Sequence, residues 1–291
     1  MRDSVFRPFC EFTASLGLTL LVACSSPSPK PTGTARDYTD AEQMFHKGNF
    51  DRVIELTDKL ANSSPPNEFT ERARVLRAVI FSGLVNAYKE LTEAYGKGAE
   101  KAQAASLKSD YRRLRQDNFQ YWSSAALVLG EVAQQLTTGR TIPRELTLEA
   151  PYPATEGPVA VAQLDQVRKG NAIGIEGEEA AAVEARRKGV DEALAGIVGG
   201  DRSKARTVLT GGSVKLSGVG CALFLARQLL VGAEAFDRKH GDEPTKFMAL
   251  HARSQEAIKA ALAQLKESSN ADQEKEAKEL QDQLKSALKT I

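Results

Sequence analysis

The stretch MFHKGNFDRVIELTDKL, residues 44–60, decides the fold of this chain. Apolar residues recur every three or four positions on both sides of Gly48, which is the spacing of amphipathic helices and not of strands. Gly48 suits a tight turn with positive φ, and Asn49 suits the first cap of a second helix. Pro65 and Pro66 follow, where a helix cannot continue. The stretch therefore predicts a hairpin of two helices, the second ending near Ala61.

The first helix of this hairpin has a start signal at Thr39 and Glu42. The Thr39 hydroxyl could accept a hydrogen bond from the Glu42 backbone, while the Glu42 carboxylate reaches back to the Thr39 N–H group. From Asp37 onward the helical periodicity continues almost throughout, and Ala, Leu, Glu, Lys and Gln dominate the long segments. We therefore expect an all-α protein.

The pattern around Gly48 resembles the inter-helix turn of the tetratricopeptide repeat, in which aromatic residues on either side of the glycine wedge two helices together. A step of about 34 residues, the length of that repeat, places Ser82 and Gly83 at the position of a second, degenerate turn. The resemblance covers roughly residues 38–97. It implies antiparallel helical hairpins stacked as an array or bundle, and it implies an interaction scaffold.

Residues 1–23 have the composition of an export signal. A mostly apolar run of roughly a dozen residues is too short for a membrane-spanning helix but suits a secretory signal. Leu21-Val-Ala-Cys24 resembles the lipobox of bacterial lipoproteins, which implies removal of the signal peptide and attachment of acyl chains such as palmitate to Cys24. An ordinary secretory signal is the alternative.

Residues 24–36, rich in serine and proline, are predicted to be a disordered tether. Three acyl chains exceed what stable membrane anchoring requires. We therefore expect a lipid-anchored protein of the cell envelope, on the periplasmic face of the outer membrane, whose membrane contact is the N-terminal lipid.

The mature chain is predicted to have two helical regions, residues 37–137 and 159–291. Residues 138–158 between them contain four prolines and are predicted to be a linker, or a loop packed over the bundle. The run Val219–Val231 is apolar nearly all round and is predicted to be the central helix, since Arg227 argues against a membrane span. Beyond the hairpin the predicted helices are 98–108, 117–136, 159–169, 176–197, 201–209, 219–239, 244–267 and 271–290.

The composition gives little support for catalysis or for the binding of a metal, a cofactor or nucleic acid. The 291 residues are 42% apolar, enough for a substantial core, and 39 basic against 38 acidic residues leave no field to attract nucleic acid. None of the three histidines stands in a metal-ligand motif, and Cys221 lies in the most apolar segment, where a buried, inert thiol is expected. We therefore predict a protein that is not an enzyme and has no cofactor, metal or nucleic-acid partner.

Aromatic residues interleaved with arginines form the one candidate binding site in the sequence. Such residues are enriched at interface anchors, although buried aromatics are more often plain core, which is the alternative here. Trp122 is in phase with apolar helix positions and is predicted to be buried. The candidate binding residues are Tyr88, Tyr95, Tyr111, Arg115 and Tyr121.

Two functions remain open at this point. The first is an envelope lipoprotein whose helical repeats bind a protein or a peptide. The second is a small-solute carrier, because helical lipoproteins of this kind are similar to the T-component of periplasmic TRAP-type uptake systems. A carrier needs an enclosed apolar pocket of several hundred Å³, whereas a scaffold needs an open groove.

Overall fold

The computed structural model describes residues 33–137, 141–154, 161–267 and 270–289. Within these ranges the chain forms ten α-helices and one two-stranded antiparallel sheet, so the predicted all-α class is confirmed. The predicted signal peptide, Cys24 and most of the predicted tether lie outside the described residues.

The helices and strands follow one another along the chain in this order: α1 (Thr34–His46), α2 (Phe50–Ala61), α3 (Thr70–Lys101), α4 (Ala105–Leu136), β1 (Glu145–Glu149), α5 (Val161–Lys169), α6 (Gly174–Ile197), α7 (Arg202–Leu209), β2 (Ser213–Ser217), α8 (Gly218–Ala233), α9 (Pro244–Leu265) and α10 (Ala271–Leu288). A short 3-10 helix, Glu234–Phe236, follows α8.

The hairpin predicted around Gly48 forms as expected. Gly48 has φ 72°, in the left-handed region that favours glycine. The Asn49 side chain caps α2 by accepting a hydrogen bond from the Arg52 backbone N–H at 3.2 Å. The rings of Phe45 and Phe50 meet edge to face with centroids 5.8 Å apart, and both are buried. These contacts hold α1 against α2.

The predicted start of α1 is wrong. The helix begins at Thr34, so residues 34–36 of the predicted tether are helical, and Gly33 stands at its N-cap. Thr39 lies inside the helix, where its hydroxyl donates to the Ala35 carbonyl oxygen at 2.9 Å. Glu42 is consequently free of the capping role that the sequence suggested.

The predicted second hairpin does not form, because α3 runs unbroken through Ser82 and Gly83. Residues 75–85 are buried around the whole circumference of the helix, with α2, α4, α6, α8 and β1 packed along α3. Gly83 serves a close approach and not a turn: an added Cβ would lie 2.6 Å from the backbone of Val190 on α6. A small residue at that position lets two helices cross with their main chains in contact.

The proline-rich segment contains a strand that the sequence analysis missed. Strand β1 pairs antiparallel with β2, in the register Glu145 to Ser217 through Glu149 to Ser213. Leu146 and Leu148 of β1 are buried. Helices from both sides of the segment contact each other, α3 with α6 and α4 with α8. The described residues therefore form one compact unit.

Helix α8 is a core helix, as predicted. By length and composition Gly218–Phe236 could cross a membrane, but 67% of it is buried among other parts of the molecule. Its exposed Arg227 is 2.5 Å from the Glu276 carboxylate on α10. Leu280 and Leu284 of α10 are buried, so the last helix covers α8 and α9 as an amphipathic lid.

Candidate functional site

The predicted aromatic site divides into a buried pair and a surface pair. The rings of Tyr95 and Tyr111 lie 5.5 Å apart in the core between α3, α4, α5 and α6, with exposures of 2% and 0%. The Tyr111 hydroxyl donates to the main-chain carbonyl oxygen of Asn171. Neither ring is accessible to a partner, so the predicted binding role of Tyr95 and Tyr111 is wrong.

The other predicted binding residues are at the surface. Tyr121 is 57% exposed, and its ring centroid lies 5.3 Å from that of the half-buried Tyr88. Burial raises the pKa of the Tyr88 hydroxyl. Arg115 is exposed, with its side chain lying over Gly96 of α3. Trp122, beside Tyr121 in the sequence, is fully buried as predicted.

A cleft that the sequence analysis did not identify lies between α1 and the end of the β1–β2 sheet. This α1 cleft has a volume of about 590 Å³ and is open to solvent. One wall is a polar stripe made by Thr39, Glu42, Gln43 and His46 of α1 and by Lys47, which directly follows the helix. The other wall is formed by Glu149 and Pro151 after β1 and by Gly211, Gly212 and Ser213 before β2.

The amphipathic sequence of α1 explains how the helix presents this stripe. Its apolar face, Tyr38, Ala41 and Phe45, is buried, which leaves the polar positions between them facing outward at helical spacing. The Tyr38 hydroxyl donates to the main-chain carbonyl oxygen of Glu149 at 2.9 Å. This bond attaches the N-terminal half of α1 to β1.

A second set of bonds attaches the C-terminal end of α1. The His46 Nδ1 atom lies 2.7 Å from the Tyr152 carbonyl oxygen. The backbone N–H of Ala154 donates to the His46 carbonyl oxygen, also at 2.7 Å. Both ends of the α1 wall are therefore tied to the opposite wall, so the cleft is formed before any ligand arrives.

The two carboxylates of the cleft differ in their partners. Glu149 forms an ion pair with Arg72 of α3. Glu42 forms neither an ion pair nor a hydrogen bond within the described part of the chain. The pKa of Glu42 is raised to about 7, mainly by desolvation and also by the nearby Glu149, with Arg72 acting in the opposite direction. The cleft thus holds a carboxyl group that has no direct ion-pair partner among the described residues.

A second cavity, of about 310 Å³, lies under the loop between α8 and α9 and is lined by Phe236, Pro244 and Phe247 together with loop residues. His240 in this loop has its Nδ1 atom 2.8 Å from the Asp237 carboxylate. Its ring packs edge to face on Trp122 at 5.2 Å. These contacts give His240 a structural role, because they hold the loop between α8 and α9 in place.

The remaining reactive side chains have structural roles. His251 is buried, its Nδ1 atom lies 2.9 Å from the Phe247 carbonyl oxygen, and burial lowers its pKa. Cys221 is fully buried, and desolvation raises the pKa of its thiol to about 12, which confirms the predicted buried, unreactive thiol. Within the described ranges no group of three or more His, Cys, Asp or Glu side chains is arranged to hold a metal ion.

Chemically, the α1 cleft offers carboxyl groups, an ammonium group and glycine main chain within a mainly apolar exposed surface. Comparison of the whole sequence and structure with protein-family models, with curated proteins and with solved structures gave no match.

Proposed function

We propose that this protein is a scaffold of the cell envelope that binds a peptide segment of another protein in the α1 cleft. The observation that carries the proposal is the cleft itself, whose volume of about 590 Å³ is within the usual range of ligand sites. Its walls are tied together by the Tyr38 and His46 hydrogen bonds. A rigid groove loses little conformational entropy on binding.

The shape of the cleft favours a peptide over a small solute. It is open to solvent, and its lining combines charged and polar side chains with an exposed surface that is mainly apolar. A carrier similar to the TRAP T-component would need an enclosed apolar pocket, and the two cavities described above are both open to solvent. The hairpin of α1 and α2, which resembles one tetratricopeptide unit, supplies the binding wall.

We propose further that the protein is a lipoprotein anchored through Cys24, on the periplasmic face of the outer membrane. Support comes from the sequence Leu21–Cys24 and the short apolar run before it. Cys24→Ser is expected to block lipidation, so that the chain is released into the soluble fraction or keeps its signal peptide. Fractionation of cells expressing either form measures this, and unchanged membrane partitioning with normal processing would contradict it.

Binding in the cleft can be tested by photo-crosslinking in native membranes. A benzophenone side chain at Gln43, on the exposed wall of α1, is expected to yield a defined crosslinked product. The same group at the exposed Lys259 on α9 is expected to yield none, because that residue is not part of the cleft.

A plugging variant makes the test specific to the cleft. Ser213→Trp fills the β2 wall and is expected to abolish the Gln43 crosslink. Lys215→Trp, two residues along the same strand and outside the cleft lining, is the matched control and should preserve it. Equal crosslinking in both variants would refute binding at this site.

A further inference from the structure

We propose that the segment bound in the α1 cleft is an extended peptide with a basic and an acidic side chain two residues apart, the basic one against Glu42 and the acidic one against Lys47. This inference rests on the proposed function and adds the chemistry of the partner.

The negative end of the cleft is at Glu42. Glu149 faces the same space, but Arg72 already compensates its charge. Glu42 forms no direct ion pair within the described ranges, although Arg72 acts on it at longer range, and its half-buried position makes the ionised carboxylate unfavourable without a direct partner. A lysine or arginine side chain from a partner would supply the missing charge through a charge-assisted hydrogen bond.

The positive end is at Lys47, the next residue after α1. It is exposed, lines the cleft, and forms no ion pair within the described part of the chain. The neighbouring imidazole of His46 is already bonded to the Tyr152 carbonyl oxygen, which leaves the Lys47 ammonium as the available cation. A carboxylate is its natural partner.

The spacing of the two ends matches an extended peptide. Glu42 and Lys47 are five positions apart, a rise of about 7.5 Å along the axis of α1 continued by one residue, and both side chains line the cleft. In an extended chain, side chains two residues apart lie on the same face at about 6.6 Å. A basic and an acidic residue in that relation can reach both ends together.

The opposite wall leaves room for the main chain of the peptide. At Gly211 and at Gly212 an added Cβ would meet nothing within 4 Å. This wall therefore has no side chain and free space beside these two positions, where a peptide backbone can lie, and the side chains on the α1 side select among sequences.

A peptide array probed with the labelled full chain tests this inference. The arrayed heptapeptides carry Lys-X-Glu, Glu-X-Lys, adjacent Lys-Glu, or the neutral pair norleucine-X-Gln, with X varied. We expect one of the two spaced orders to bind at least tenfold more strongly than the adjacent and neutral sets. Equal binding to the neutral set would overturn the proposal.

Charge reversal identifies the residues responsible. The double variant Glu42→Lys/Lys47→Glu is expected to prefer the opposite order of charges. The matched control is Arg36→Glu/Asp40→Lys, which reverses an exposed ion pair on α1 (3.7 Å) outside the cleft lining and should leave the preference unchanged. Retention of the original order by the Glu42/Lys47 double variant would overturn the proposal.

Failure of this inference can be separated from failure of the proposed function. If the double variant does not fold, as judged by circular dichroism, Glu42→Gln should still remove the preference for a basic residue. If the Gln43 crosslink depends on the cleft but the array shows no charge preference, the scaffold function stands and the assigned chemistry is wrong. If the crosslink is absent as well, both are wrong.

Discussion

Replacement of Gly189 by valine is expected to lower the free energy of unfolding by about 3 kcal/mol or more. Gly189 lies on α6 where it crosses α3, and an added Cβ would stand 2.1 Å from the main-chain carbonyl oxygen of Gly83. A main-chain atom in the middle of a helix cannot turn aside as a side chain can. Both helices would have to separate, with loss of buried contacts along residues 75–85. Urea unfolding followed by circular dichroism measures the change.

Gly220→Ala provides the matched control. Gly220 also lies in a helix, but the nearest atoms to its added Cβ are 3.8 Å away. Alanine should therefore be neutral there or stabilise the protein by up to about 1 kcal/mol, since it has the higher helix propensity. If the free energy of unfolding of Gly189→Val were within 1 kcal/mol of the wild-type value, the close crossing of α3 and α6 at Gly189 would be incorrect.

The glycines show why part of the fold could be predicted from sequence and part could not. Gly48 stands between two helical patterns with an asparagine cap beside it, so its turn is a local property and was predicted correctly. Gly83 has no local signal that separates a turn from a close helix crossing. The deciding partner is Gly189, far along the chain, and only the folded structure brings the two together.

The helices of the second half were predicted within two residues at either end, because their apolar periodicity is continuous over several turns, except that the helix predicted over 219–239 ends at Ala233. The strands were missed because β1 and β2 have five residues each, so the alternation of Leu146 and Leu148 is too brief to outweigh the surrounding prolines and glycines.

The missed strands explain why the α1 cleft was not predicted. One of its walls comes from the ends of β1 and β2, which are distant in sequence from α1 and from each other. Glu42 was interpreted as part of a helix cap, since Thr39 and Glu42 have the spacing of a capping box. The signal that could have pointed to a site is the polar stripe of α1 at helical spacing, but a solvent-exposed helix face has the same pattern.

For the aromatic candidates, the residue type can be read from the sequence but the exposure of each side chain cannot. All four aromatic candidates are tyrosines in helices: Tyr88, Tyr95, Tyr111 and Tyr121. A tyrosine side chain suits both a protein core and a protein surface, so the residue type does not decide which one it occupies. The position of α5 and α6 over one end of α3 buries Tyr95 and Tyr111 and leaves Tyr121 outside. Stability measurements should therefore divide these residues into two classes.

Tyr111→Ala is expected to lower the free energy of unfolding by about 3–5 kcal/mol, the usual cost of removing a fully buried aromatic side chain. It would leave a cavity beside Tyr95 and remove the donor to the Asn171 carbonyl oxygen, which fixes the connection between α5 and α6. Tyr121→Ala, at 57% exposure, should cost less than about 1 kcal/mol. Parallel urea titrations of the two variants measure the difference.

Tyr111→Phe separates the contribution of the Tyr111 hydrogen bond to stability from the contribution of its ring packing. It keeps the ring against Tyr95 but leaves the Asn171 carbonyl oxygen without its donor, so a loss of about 1–2 kcal/mol is expected. The remainder of the alanine effect is then due to the lost packing and the cavity. Equal stability losses for Tyr111→Ala and Tyr121→Ala would contradict the division into core and surface, because a ring that is 57% exposed cannot cost as much to remove as one enclosed by four helices.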